Sequence, residues 1–153
     1  MITRPSTPRV LEDVCEQLVR DVLPEITDAA ARLRLEMLIA VLNNCANASG
    51  SEIALMREET TLYLDYATTV SAAMTSPKTT EALAAAMPTD SLLLADVASE
   101  YSRASLAFSE ALDAAMDQGH AGLQARGEDL LQLRLANERK VLSGSSSLGR
   151  SAS

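Results

Sequence analysis

Apolar residues recur at spacings of three and four along most of the chain, and only a few Pro and Gly residues interrupt the rhythm. Val10, Leu11, Val14, Leu18 and Val22 open the pattern. Leu93, Val97, Tyr101, Ala104, Phe108, Leu112 and Ala115 repeat it further on. Such spacing lines one side of a 3.6-residue helix, whereas a half-buried strand needs alternation. The residue types agree with the spacing. The chain has 25 Ala and 23 Leu against three Tyr, one Phe and no Trp. Ala and Leu favour helix, while strands draw on β-branched and aromatic side chains. The expected fold is therefore all-α.

Local signals place the helices. Ser6-Thr7-Pro8 offers a hydroxyl cap followed by Pro in the first turn, and Pro24 stops the helix that follows. That predicts a first helix over about 8–22. Thr27 or Asp28 caps a second, running to about Ala48. Leu35, Met37, Leu38, Ile39, Val41 and Leu42 leave it almost no polar face, so it should be central and buried. Ser49-Gly50-Ser51-Glu52 fits a capping box and predicts a joint at Gly50, with one continuous helix as the alternative. A third helix covers about 51–74, with Ile53, Met56, Thr60, Tyr63, Ala67, Val70 and Met74 as its stripe. Ser76-Pro77 introduces a short helix near 79–86, closed by Pro88. Thr89 and Asp90 then cap a long helix to about Gln118, with Gly119 just beyond its end. A last helix spans about 121–142 and contains Gly127, which weakens it by about 1 kcal/mol relative to Ala.

With 153 residues there is material for one ordinary domain. The short connections favour antiparallel neighbours. The expectation is one domain over 1–142, an up-and-down helical bundle of four long helices plus one or two short ones. A Ser/Gly-rich tail over 143–153 should be flexible.

Charge limits the partners. The net charge is −8, opposite to the basic surface that nucleic-acid binding needs. Residues 79–118 hold seven acids and one base, Arg103, while residues 119–153 hold five bases and three acids. An acidic helix and a more basic one can pair within a bundle or between two chains, although a solvated face is the simpler reading. The longest uncharged stretch, Met37–Ser51, is 15 residues with three Asn, too short and too polar to span a bilayer. Arg4, Pro5, Pro8 and Arg9 interrupt any apolar run that could serve as a secretory signal. Cys15 and Cys45 form no CxxC pair. These features point to a cytoplasmic protein whose two reduced cysteines pack as small hydrophobes.

Motifs for chemistry are mostly missing. A di-iron bundle needs Glu-x-x-His on two helices, but the single histidine, His120, sits beside Gly119 with no Glu three residues before it. There is no Cys/His zinc set, no phosphate-cradling GxxxxGK[ST] or GxGxxG loop, and no GxSxG elbow. No cofactor or metal is expected. Glu52, Glu58, Glu59 and Asp65 could be combined into carboxylate pairs, but exposed helix charges explain them as well.

One stripe stands apart. Arg32, Glu36, Ala40, Asn43 and Asn47 follow one another at helical spacing, with Asn44 beside them and apolar faces on either side. It is either a thin solvent-facing strip or an interior polar network that binds a ligand or fixes a dimer register. In the second case Glu36, Asn43 and Asn47 point inward, with Tyr63 and Tyr101 as pocket wall. Otherwise Tyr63, Tyr66, Tyr101 and Phe108 are core filler.

Three stretches carry a family resemblance. Arg4-Pro5-Ser6-Thr7 precedes an amphipathic segment ending in Val22-Leu23-Pro24. Leu38-Ile39-Ala40-Val41-Leu42 precedes the Gly-marked position, and Leu135-Ala136-Asn137-Glu138-Arg139 lies near the end. Together they resemble a bacterial family of short all-helical proteins of uncharacterised function. Its genes neighbour aminoglycoside-phosphotransferase-like kinases and acyl-CoA dehydrogenases. The resemblance implies an accessory role beside such enzymes and brings no active-site residues with it.

The expectation from sequence is a non-enzymatic helical interaction or accessory protein, a homodimer able to partner an enzyme. The alternative is a small-molecule-binding bundle or enzyme with a pocket between its helices.

Overall fold

A computed structural model describes residues 5–143. Within them the protein is an all-α helical bundle without strands. The helices are α1 (Thr7–Gln17), α2 (Ala29–Ala73), α3 (Pro77–Ala85), α4 (Leu94–Asp117) and α5 (Ala121–Ser143). The chain groups into two compact units. One holds the residues up to Glu52 and those from Glu138 on; the other is Ile53–Asn137. The Ser/Gly-rich tail expected at 143–153 lies, from residue 144 on, outside the described residues.

In the first unit α1 lies antiparallel to the stretch of α2 from Ile39 to Gly50. The Cys15 thiol donates to the Ile39 carbonyl at 3.8 Å, and Pro8 stands 3.7 Å from where a β-carbon on Gly50 would be. Ser6 occupies the N-cap position of α1, but its hydroxyl makes no capping bond. The regular helix ends at Gln17, earlier than the expected 22, and continues as a π turn over Leu18–Val22 and a 3₁₀ turn over Leu23–Glu25. Pro24 explains the change. It has no N–H for the carbonyl four residues back and its ring crowds that carbonyl, so the preceding turn widens.

The joint expected at Gly50 is not there: α2 is one helix through it. Asp28 caps its start, accepting from the Ala31 N–H at 2.8 Å. The Ser49 and Ser51 hydroxyls do not form a capping box but donate back to the Ala46 and Asn47 carbonyls, each at 3.0 Å. Hydroxyls bonded to the preceding turn are compatible with an unbroken helix. The fusion leaves fewer long helices than the four expected.

The first part of α2 also departs from its expected burial. Ile39 and Ala46 are buried, but Leu33, Met37, Leu38 and Val41 are 56–62% exposed. This segment has two apolar faces, and only one is covered.

In the second unit a core forms from Tyr63, Tyr66, Ala67 and Val70 of α2, Ala82 of α3, Ala104, Ala107, Phe108, Ala111 and Ala115 of α4, and Leu123 of α5. The alanine-lined side of α4 lets neighbouring backbones approach closely. Ser76 caps α3 by accepting from the Thr79 N–H at 3.3 Å. The next helix starts at Leu94, not at the expected Thr89 or Asp90. Arg57 accounts for the delay. Its guanidinium donates to the carbonyls of Thr89, at 3.1 Å, and Ser91, so both are bound in a loop rather than free to start a helix.

Gly119 (φ +67°) closes α4 as expected, with its N–H on Met116 O and the His120 N–H on Ala115 O. His120 then caps α5: its Nδ1 accepts from the Leu123 N–H at 3.4 Å. Gly127, exposed in no direction, sits where a β-carbon would be 2.5 Å from Leu112 Cδ1 and 3.0 Å from the Tyr66 hydroxyl. Among the described residues no helix is long and apolar enough to cross a membrane.

Candidate functional site

A buried polar hub in the second unit is Glu59, only 6% exposed. It lies on α2 one turn before Tyr63, so helical spacing alone puts the two side chains on one face. Tyr63 OH donates to Glu59 Oε2 at 3.4 Å, and Tyr101 OH of α4 donates to the same oxygen at 2.8 Å. Asn137 of α5, also buried, donates through Nδ2 to Oε1 at 2.9 Å. One carboxylate thus ties three helices together, with donors on both oxygens.

The aromatic residues surround it. Tyr63 stacks on Phe108 with centroids 4.7 Å apart, Tyr66 meets Phe108 at 5.2 Å, and Tyr101 lies 6.0 Å from Tyr63. Burial pushes the phenol pKa of Tyr63 well above its ordinary value, reinforced by Tyr101 and by the Glu59 charge, with Arg134 opposing. Tyr101 is raised first by burial and then by its hydrogen bond to Glu59, again with Arg134 opposing. Tyr66 is raised by burial, and its hydroxyl donates to Leu123 O at 3.0 Å. Burial favours the neutral phenols, which here donate to the Glu59 carboxylate and to the Leu123 carbonyl and so link α2 to α4 and α5.

The five residues singled out from sequence fall in two groups. Tyr63 and Tyr101 come together on Glu59 in the second unit. Glu36, Asn43 and Asn47 belong to the first. Glu36 does not point inward; it is exposed and pairs with Arg32 at 3.3 Å. Asn43 and Asn47 are half-buried. Asn47 Nδ2 and Asn44 Oδ1 are buried without a hydrogen-bond partner. Sequence reasoning passed over Glu59 as one carboxylate among several and met Asn137 only as part of a family motif. A signal for Glu59 was available: it is a charge set among Met56, Thr60 and Tyr63 on an otherwise apolar face.

Two open clefts, of about 680 and 630 Å³, lie elsewhere, around Thr75, Ser76 and Pro77. Neither is lined by any of the five residues. Among the described residues no cluster of three His, Cys, Asp or Glu side chains could hold a metal ion. Cys15 is buried, and burial raises its thiol pKa. Cys45 is exposed, contrary to the expectation of two packed cysteines, because it lies on the uncovered side of α2.

No protein-family model matches this chain, and neither a curated protein nor a solved structure does.

Proposed function

We propose that this protein is a non-enzymatic helical interaction protein that self-associates through the uncovered apolar side of α2. The observation that carries this reading is the exposure of Leu33, Met37, Leu38 and Val41 on one short stretch of helix. Contiguous apolar surface of this kind on a soluble chain marks an interaction site. The net charge of −8 favours a protein partner over nucleic acid, and two free thiols favour the cytoplasm. The family resemblance adds phosphotransferase-like and acyl-CoA-metabolising enzymes as partners to try.

Light scattering on the purified chain, with intact mass spectrometry on the same sample, tests this. A dimer is expected, and Leu38→Glu should make it monomeric without loss of helicity. A monomer at the highest reachable concentration would overturn self-association. The alternative, a small-molecule-binding bundle, draws support from the Glu59 cluster, where Tyr101 is only half-buried. A monomer carrying a bound small molecule would favour it.

A further inference from the structure

We infer that the occupant of the uncovered α2 face is a second copy of this chain, paired antiparallel about a two-fold axis level with Asn43. The inference rests on the self-association proposed above and adds its geometry. Arg34, Leu38, Val41, Cys45, Ala48 and Glu52 follow one another at spacings of four, three, four, three and four. That is the heptad spacing of a coiled-coil seam. Arg34, Leu38, Val41, Cys45 and Glu52 are exposed, and Ala48 is half-buried.

The ends of the seam decide the orientation. Arg34 and Glu52 are 18 residues apart, which is five helical turns, so they share one azimuth at opposite ends of the stripe. Among the described residues neither enters an ion pair, and the chain carries no charge between Glu36 and Glu52.

In an antiparallel pair Arg34 meets the partner's Glu52, and by symmetry the same contact forms again at the other end. Leu38 then meets the partner's Ala48, and Val41 meets the partner's Cys45. Each layer sets a larger side chain against a smaller one, which fills the seam evenly. A parallel pair in register would instead oppose arginine to arginine and glutamate to glutamate. It would also place the two Ala48 side chains together and leave a gap. A two-fold contact is the common closed solution for identical chains.

The test is a charge-swap cycle on the full chain, read by sedimentation equilibrium, with circular dichroism to confirm folding. Arg34→Glu alone, or Glu52→Arg alone, places like charges in both end layers and should weaken the dimer by about tenfold or more at low salt. The double variant Arg34→Glu/Glu52→Arg restores opposite charges and should return the affinity to near that of the parent. If both single variants dimerise like the parent, the seam is wrong while self-association stands. If they weaken and the double variant does not recover, the antiparallel pairing is wrong. A parent chain that stays monomeric removes this inference and the proposed self-association together.

Discussion

Glu59 is a buried side chain that joins three helices of the second unit. Its two oxygens accept from Tyr63, Tyr101 and Asn137 across three helices. Removing the carboxylate leaves buried donors without an acceptor, and that costs more than the bonds themselves contribute. Glu59→Ala should therefore destabilise the protein by about 2–4 kcal/mol, the scale set by buried neutral donors left without an acceptor. Glu36→Ala should change stability by less than about 0.5 kcal/mol, because its pair with Arg32 is exposed at 52% and 48%. Urea unfolding of both variants measures the contrast, and equal effects would mean the cluster is not a structural hub. The difference between these two glutamates was not legible from composition or spacing. Both lie on α2 beside apolar residues. Only the packing of α4 and α5 distinguishes them, because it buries Glu59 and supplies Tyr101 and Asn137.

At the scale of elements, two glycines in helices do opposite things. Gly50 is exposed within α2, and an added β-carbon would meet only Pro8 at 3.7 Å, an ordinary contact. Gly50→Ala should stabilise by about 0.5–1 kcal/mol, the propensity gain of an interior helix position. Gly127 is the place where α5 passes closest to Tyr66 and Leu112. Leu112 can rotate its terminal methyl aside, but Tyr66 is fully buried and its hydroxyl is fixed on Leu123 of the same helix. A branched side chain must displace both neighbours, so Gly127→Val should destabilise by about 2 kcal/mol despite its better helix propensity. Thermal unfolding of the pair checks both signs. Helix ends were legible only in part. Pro88 and Gly119 act through their own backbone chemistry, which sequence displays, whereas the regular part of α1 stops at Gln17, well short of Pro24, and the helix expected to stop near Ala48 runs on. The start of α4 is set by Arg57, 32 residues before the first carbonyl it holds, and that no local motif can display. The Ser-Gly-Ser-Glu run read as a cap because its hydroxyls can bond in either direction along the chain, and in α2 they bond backward.

For the whole molecule, the all-α class was legible because Ala, Leu and a 3.6-residue rhythm leave no competing fold. Burial was legible only in part. An apolar stripe says that a face seeks cover, not whether the chain supplies it, and among the described residues Leu33, Met37, Leu38 and Val41 are where it stays exposed. The aromatic residues gather in the core of the second unit, and this gives the protein a specific weakness at alkaline pH. Tyr63, Tyr66 and Tyr101 have phenol pKa values raised in the folded state, each first of all by burial. In the unfolded chain the same phenols ionise near about 10. Below that pH both states keep the protons, and the stabilisation from the buried phenols is fully present. As pH rises through about 10 the unfolded state loses protons that the folded state retains, so stability falls toward the raised folded values. With reductant present to protect Cys45, melting temperature should decline gently from about pH 8.5, where the unfolded chain ionises a Cys15 thiol that burial keeps protonated in the fold, and more steeply above about pH 9.5 as the phenols join it. Tyr63→Phe removes one of the phenols and should make the decline shallower, even if the variant starts from a lower melting temperature. An unchanged slope would mean that Tyr63 does not hold its proton through the fold, and that the alkaline loss comes from repulsion within a chain that is already at −8.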